Sequence, residues 1–174
     1  MDNAADAEKK AYPLSGCGRG STDLHPGVDY SAPEGAPVPA ADDGVVVKVE
    51  ENEQASVDAP NAGRCGRYVV LKHSYPNGRS AFTHYAQLGR LVSPDGKPLV
   101  VGTRIMKNDK IGEVGSRKTL HFEVRPVEPA TMDGSAAWLR RYGADPTMEW
   151  SRFHPADPAT FNFETFGGRG TQAK

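Results

Sequence analysis

Glycine and proline recur so often along this chain, nineteen and fourteen times in 174 residues, that long helices have little room. Apolar stretches with helical period are scarce. What lies between the turn residues is short and β-branched. Asp43-Gly44 precedes a run in which Val45, Val47 and Val49 alternate with Val46, Lys48 and Glu50, which predicts a strand after a turn. Residues 67–73 (RYVVLKH) predict a second strand, and Pro76-Asn77-Gly78 turns it into a partner running from Ser80 to Leu88. Ser93 to Pro98 is another turn, Arg104 to Lys110 a short connection, and residues 110–115 and 119–125 two further strands. Residues 13–29 and 51–65 read as loops. The fold class is mostly β.

The length suits one domain with an extension. Residues 1–12 read as a loose tail, 13–126 as the domain, and 127–174 as a C-terminal extension. Within the extension, Gly134 to Gly143 predicts a short helix. The Pro- and Phe-rich remainder, with FNFETF, is expected to pack on the surface.

A net charge of −1, with no basic stripe, argues against nucleic acid as a partner. No run approaches the roughly 20 apolar residues of a membrane span. The opening MDNAADAEKK is polar and has no apolar signal-peptide core. Cys17 and Cys65 each sit among glycines. They read either as two separate thiols or as one disulfide, which an oxidising compartment permits.

Three residues carry candidate chemistry. His25 and Asp29 form His-x-x-x-Asp in LHPGVDY, with Gly27 allowing the backbone to turn between them. His121 lies in TLHFEVR. Strand alternation puts Thr119, His121, Glu123 and Arg125 on one face, and Leu120, Phe122 and Val124 on the core face, so His121 is aimed towards a groove. Two imidazoles and a carboxylate can hold one zinc ion and leave a position open for water. The complex stays positively charged, so the bound water ionises near neutral pH. The same donor set also describes a non-haem iron site.

The surrounding blocks resemble the lysostaphin-type, or LytM-type, zinc endopeptidases. LHPGVDYSAPEGAPVPAADDGVVVKV is similar to that family's His-x-Gly-x-Asp block and the Gly-x-Pro-Val-x-Ala strand after it. GRYVVLKH, VGTRIMKNDKIGEVGS and LHFEVRP then follow in the family's order, over about residues 15–126. The resemblance implies a small antiparallel β-sheet domain with a groove, of the duplicated-hybrid-motif kind. It implies one zinc ion on His25, Asp29 and His121. It also implies peptidoglycan peptides as substrate, with glycine- or D-alanine-containing cross-bridges, and a periplasmic or extracellular location.

Two departures stand out. Where the family has the first histidine of His-x-His this chain has Thr119, and where it has the histidine of Tyr-x-His-Leu it has Gln87. Both can hydrogen-bond to substrate, but neither takes up a proton near pH 7. His84 reads either as the substitute catalytic histidine or as a structural or exposed one, since three residues of regular strand would turn it to the face opposite Gln87 unless a bulge intervenes. Arg19 matches a family arginine and is a candidate for a substrate carboxylate. His73 reads as structural, His154 as exposed, and Glu123 as a surface carboxylate sooner than a support for the metal. Two functions are therefore expected: a zinc endopeptidase, or a weak or inactive relative serving as a wall-binding or regulatory module.

Overall fold

The computed structural model describes residues 27–53, 65–127 and 155–169. Eight strands fill the first two segments: β1 (Val28–Ser31), β2 (Pro37–Pro39), β3 (Gly44–Glu50), β4 (Arg67–Ser74), β5 (Ser80–Leu91), β6 (Arg104–Ile105), β7 (Lys110–Val114) and β8 (Thr119–Val127). All pair antiparallel in one sheet of order β1-β8-β5-β4-β3-β6, with β7 joined to β5 and β2 to β7. The expected mostly β, antiparallel class is what the chain adopts.

The central strands explain the continuous apolar runs in the sequence. β4 and β5 are buried on both faces, so neither shows simple alternation. One face of the sheet carries the main core: Val38, Val46, Val69, Leu71, Tyr85, Leu88 and Ile111, with Leu120 and Phe122 against them. The other carries a smaller cluster of Cys65, Tyr68, Val70, Phe82, Ala86 and Val127. The β4–β5 hairpin turns where Asn77-Gly78 is read: Gly78 takes φ 82°, and its N–H donates to the Tyr75 carbonyl at 3.0 Å.

Three elements differ from the sequence reading. β1 lies in the stretch read as loop, and β6 in the stretch read as a connection. FNFETF contains a short helix, Phe163–Phe166, whose first turn is capped by Asn162 Oδ1 accepting from Thr165 N at 2.9 Å. The loose tail and the helix expected at 134–143 lie outside the described residues.

Residues 155–169 pack on the strands. Phe163 meets His73 and Phe166 meets Tyr75, each with ring centroids 5.7 Å apart. Arg169 pairs with the buried Asp42, whose Oδ2 also accepts from the Tyr75 hydroxyl at 2.9 Å. Ala156 forms a bridge to Val124, continuing the β8 edge beyond β1. His73 lies beneath this clasp, fully buried, with Nδ1 2.7 Å from the Asp43 carbonyl and Nε2 2.7 Å from Thr83 Oγ1.

Burial lowers the His73 pKa from its ordinary value despite the pull of the Asp43 carbonyl and the Asp42 charge. The unfolded chain therefore binds this proton first. Stability is full above about pH 6.5 and falls as pH drops towards the folded value, by at most about 1.4 kcal/mol per pH unit for one group. Thermal melts between pH 7.5 and 5 are expected to show this fall, and His73→Gln to flatten it.

Candidate metal centre and its buried support

The pairing of β1 with β8 places Asp29 directly opposite His121. Gly27 makes that approach possible: a Cβ there would lie 2.2 Å from the Phe122 carbonyl oxygen and 2.8 Å from Glu123 Cγ. The backbone bends at Gly27 without a left-handed φ, so the glycine is required there by close packing. Asp29 Oδ1 and His121 Nδ1 are 2.9 Å apart. Two donors at about 2.0 Å from one tetrahedral ion would stand roughly 3.3 Å apart, so this pair fits two of zinc's ligands with little adjustment. His25 and Arg19 lie outside the described residues.

The other side of the His121 ring is fixed by charge. Nε2 faces Glu123 Oε1 at 2.9 Å, and the same oxygen is 3.1 Å from His84 Nδ1. Glu123 Oε2 accepts from Arg125 Nε at 2.8 Å, with a second Arg125 nitrogen at 2.6 Å. His84, His121, Glu123 and Arg125 are all at most 1% exposed. Tyr68 closes edge-on against His84, centroids 5.0 Å apart.

Burial opposes charge on each member, and the network answers it. The Glu123 carboxyl is held well below its usual range: His84, hydrogen bonds from His121 and His84, and the Arg125 guanidinium together outweigh desolvation. For His121, burial alone would lower the pKa, but Glu123 and Asp29 raise it. For His84 burial wins over Glu123, so this imidazole is held neutral. Glu123 therefore anchors the Nε2–H of His121, which turns Nδ1 towards Asp29.

Among the described residues, His84, His121 and Glu123 form a group whose ligand atoms lie within 4.8 Å of one another. Arg125 already neutralises Glu123, and a divalent ion beside it would add to a buried cation. The trio is better suited to hold His121 than to hold a metal itself.

One sequence expectation is corrected. Glu123 is a buried ion-pair partner and not a surface carboxylate, and the face it shares with His121 and Arg125 is enclosed. Alternation carried no information on what covers that face. His84 pairs directly with Glu123, and Ala86 with His121, so both imidazoles share one face. Its burial sets it behind His121, where it reaches Glu123 and not an open groove.

Gln87 lies just past the last β5–β8 pair, with φ 65°. Its N–H donates to the Cys65 carbonyl at 2.8 Å and its carbonyl accepts from Gly115 N at 3.1 Å. Thr119 is half-buried, and its hydroxyl donates to the Arg117 carbonyl at 3.2 Å. Ser31 pairs with Thr119 one repeat beyond the Asp29–His121 pair, and there a shallow cleft of about 910 Å³ opens. Ser31 to Glu34 and Arg117 to Thr119 line it. Cys65 is buried and disulfide-bonded; Cys17 lies outside the described residues.

Residues 23–133 match the sequence profile of peptidase family M23. An "uncharacterized metalloprotease" of Haemophilus influenzae is 36% identical over 112 residues, covering 62% of this chain and 21% of that protein. The chain thus spans about a fifth of that relative's length. Among solved structures, the catalytic domain of a prophage-encoded M23 protein, EnpA, from Enterococcus faecalis is 21% identical. Its TM-score is 0.49, over 85% of this chain and 87% of that one. A zinc-containing peptidase from Vibrio cholerae is 28% identical with TM-score 0.43, over 59% and 28%. The lysostaphin catalytic domain from Staphylococcus simulans is 21% identical with TM-score 0.47, over 66% and 76%.

Removing Glu123 strands Arg125 as a buried charge. Glu123→Ala is expected to cost about 3–5 kcal/mol of stability. The double variant Glu123→Ala/Arg125→Met should recover much of that loss. Urea unfolding of the three proteins measures both, and a loss under about 1 kcal/mol would show the network to be slack.

Proposed function

The chain belongs to peptidase family M23, and from that membership we propose that it is a zinc-dependent endopeptidase of bacterial peptidoglycan cross-link or stem peptides. The observation that carries the proposal is the 2.9 Å pair of His121 Nδ1 and Asp29 Oδ1, with Nε2 of the same ring tied to Glu123. His25, Asp29 and His121 are the residues proposed to hold the metal. A zinc ion held there supplies a water that ionises near neutral pH and a positive charge to polarise a peptide carbonyl.

The chain's own residues do the rest. Glu123 keeps the His121 ring in the tautomer that offers Nδ1, and Arg125 keeps Glu123 ionised. His84, the candidate catalytic histidine, is proposed to act here as a positioning residue through Glu123. Gln87 and Thr119 can orient a substrate by hydrogen bonds but cannot exchange its proton. General acid–base help is worth roughly 10²–10⁴-fold, so turnover is expected to be slow. The missing imidazoles at 87 and 119 favour a second reading, a zinc-binding wall module without turnover.

A periplasmic or extracellular location is proposed with this function. The disulfide at Cys65 supports it, because such bonds persist in oxidising compartments. No helix among the described residues is long and apolar enough to cross a membrane.

Asp29→Ala and His121→Ala are each expected to remove most bound zinc, read by metal analysis of protein purified without added metal. Chelator-sensitive release of peptides from purified peptidoglycan should disappear with it. Unchanged zinc stoichiometry in both variants would move the metal elsewhere. The variant Gln87→His/Thr119→His is expected to raise kcat by up to about 10²–10⁴-fold. Position 87 suits the change, since histidine is among the residues that tolerate a left-handed φ. No gain, together with tight wall binding, would assign the chain to the second reading.

A further inference from the structure

We propose that Arg117 and Lys118 form a carboxylate-selecting wall beside the metal residues, so that the preferred peptide carries a free carboxylate about two residues from the bond cleaved. The inference rests on the endopeptidase reading and adds to it the chemistry of the substrate.

The argument begins with register. Asp29 pairs with His121 and Ser31 with Thr119. One such repeat along a strand is about 7 Å, and side chains two residues apart share a face. The cleft lined by Ser31 and Thr119 therefore lies on the same face as the metal pair, two peptide residues away.

The cations in that cleft are held by their backbone. Lys118 N donates to the Gly115 carbonyl at 2.9 Å, closing a tight turn, and Lys118 itself takes φ 55°. Ala32 N donates to the Lys118 carbonyl at 3.0 Å, which ties the turn to the chain leaving β1. The Thr119 hydroxyl holds the Arg117 carbonyl. Both cations are exposed at the cleft, and among the described residues that line it the acid is Glu34. A wall that presents a guanidinium and an ammonium in this way prefers an anionic residue to a neutral one. Thr119 belongs to this wall, and its hydroxyl is already committed to shaping the turn.

The test uses three dansyl-labelled peptides: pentaglycine with a free C-terminal carboxylate, pentaglycine amide, and Gly-Gly-Glu-Gly-Gly amide. Binding to the full chain is read by fluorescence anisotropy at low and at 0.5 M salt, and cleavage is read separately by chromatography. One or both carboxylate peptides should bind about three- to tenfold tighter than the neutral amide at low salt, and the gap should shrink at high salt. Which of them gains tells a terminal from a side-chain carboxylate. Arg117→Gln/Lys118→Gln should remove the gap. Equal binding of all three peptides, or a gap that survives the double substitution, overturns the proposal. Absence of cleavage in the presence of zinc counts against the endopeptidase reading alone, because the carboxylate preference is read from binding.

Discussion

The buried contact between Glu123 and Arg125 is the interaction on which the site's geometry depends. Two opposite charges taken out of water are expensive, and a well-packed apolar pair could be as stable or more so. What the ion pair provides is direction. Glu123 Oε2 is committed to Arg125, which leaves Oε1 as the one acceptor facing two imidazoles. The ring of His121 is then fixed at one nitrogen, and the other must face Asp29. A metal ion between Nδ1 and Oδ1 would displace a proton from a position the protein has already prepared. On the proposed function, folding and metal binding would thereby be coupled through one carboxylate.

The second constraint is close approach. β1 is four residues long and mostly exposed, so burial of its side chains contributes little to hold it. Its register is set by pairing along β8, and a one-residue slip would turn Asp29 away from His121. Gly27 brings the chain against the Phe122 carbonyl, where any side chain would collide. A weak strand is acceptable because a backbone contact that only glycine permits fixes its position. The clasp formed by Arg169, Asp42 and Tyr75 packs near the start of β5, and the Tyr85 hydroxyl, accepting from Ala41 N at 2.9 Å, links the neighbourhood of Asp42 to the strand that faces His121.

The strands that bury apolar residues were legible in the sequence as β-branched runs, although in β3 a register shift after Val46 leaves Val45 exposed and Val46 buried, against simple alternation. β3, β4, β5, β7 and β8 all fall where the pattern places them. β1 and β6 were not legible: VDYS and RI are too short, and too exposed, to carry a period. The site was legible in part. Asp29 and His121 stood out by residue type and by resemblance, and the structure brings them together. Alternation also grouped His121 with Glu123 and Arg125, yet it could not show that this face is enclosed. A carboxylate two residues from an arginine on one strand face is the pattern of a solvated ion pair as much as of a buried one. Only the distant Cys65, Tyr68 and Phe82, packed on the same face, distinguish them.

The substitutions at 87 and 119 can now be placed physically. Gln87 and Thr119 are not members of the hydrogen-bonded chain Arg125–Glu123–His121–Asp29, so the residues proposed to hold the metal are retained where the two family imidazoles are not. Position 87 does backbone work as well, joining the Cys65 loop to the turn after β7 in a left-handed conformation. Position 119 shapes the turn that presents Arg117 and Lys118. On the proposed function, binding a metal, binding a peptide and moving a proton would rest on different residues in this fold. The first two can persist while the third weakens, which is why metal content alone cannot establish turnover in a chain with this pattern.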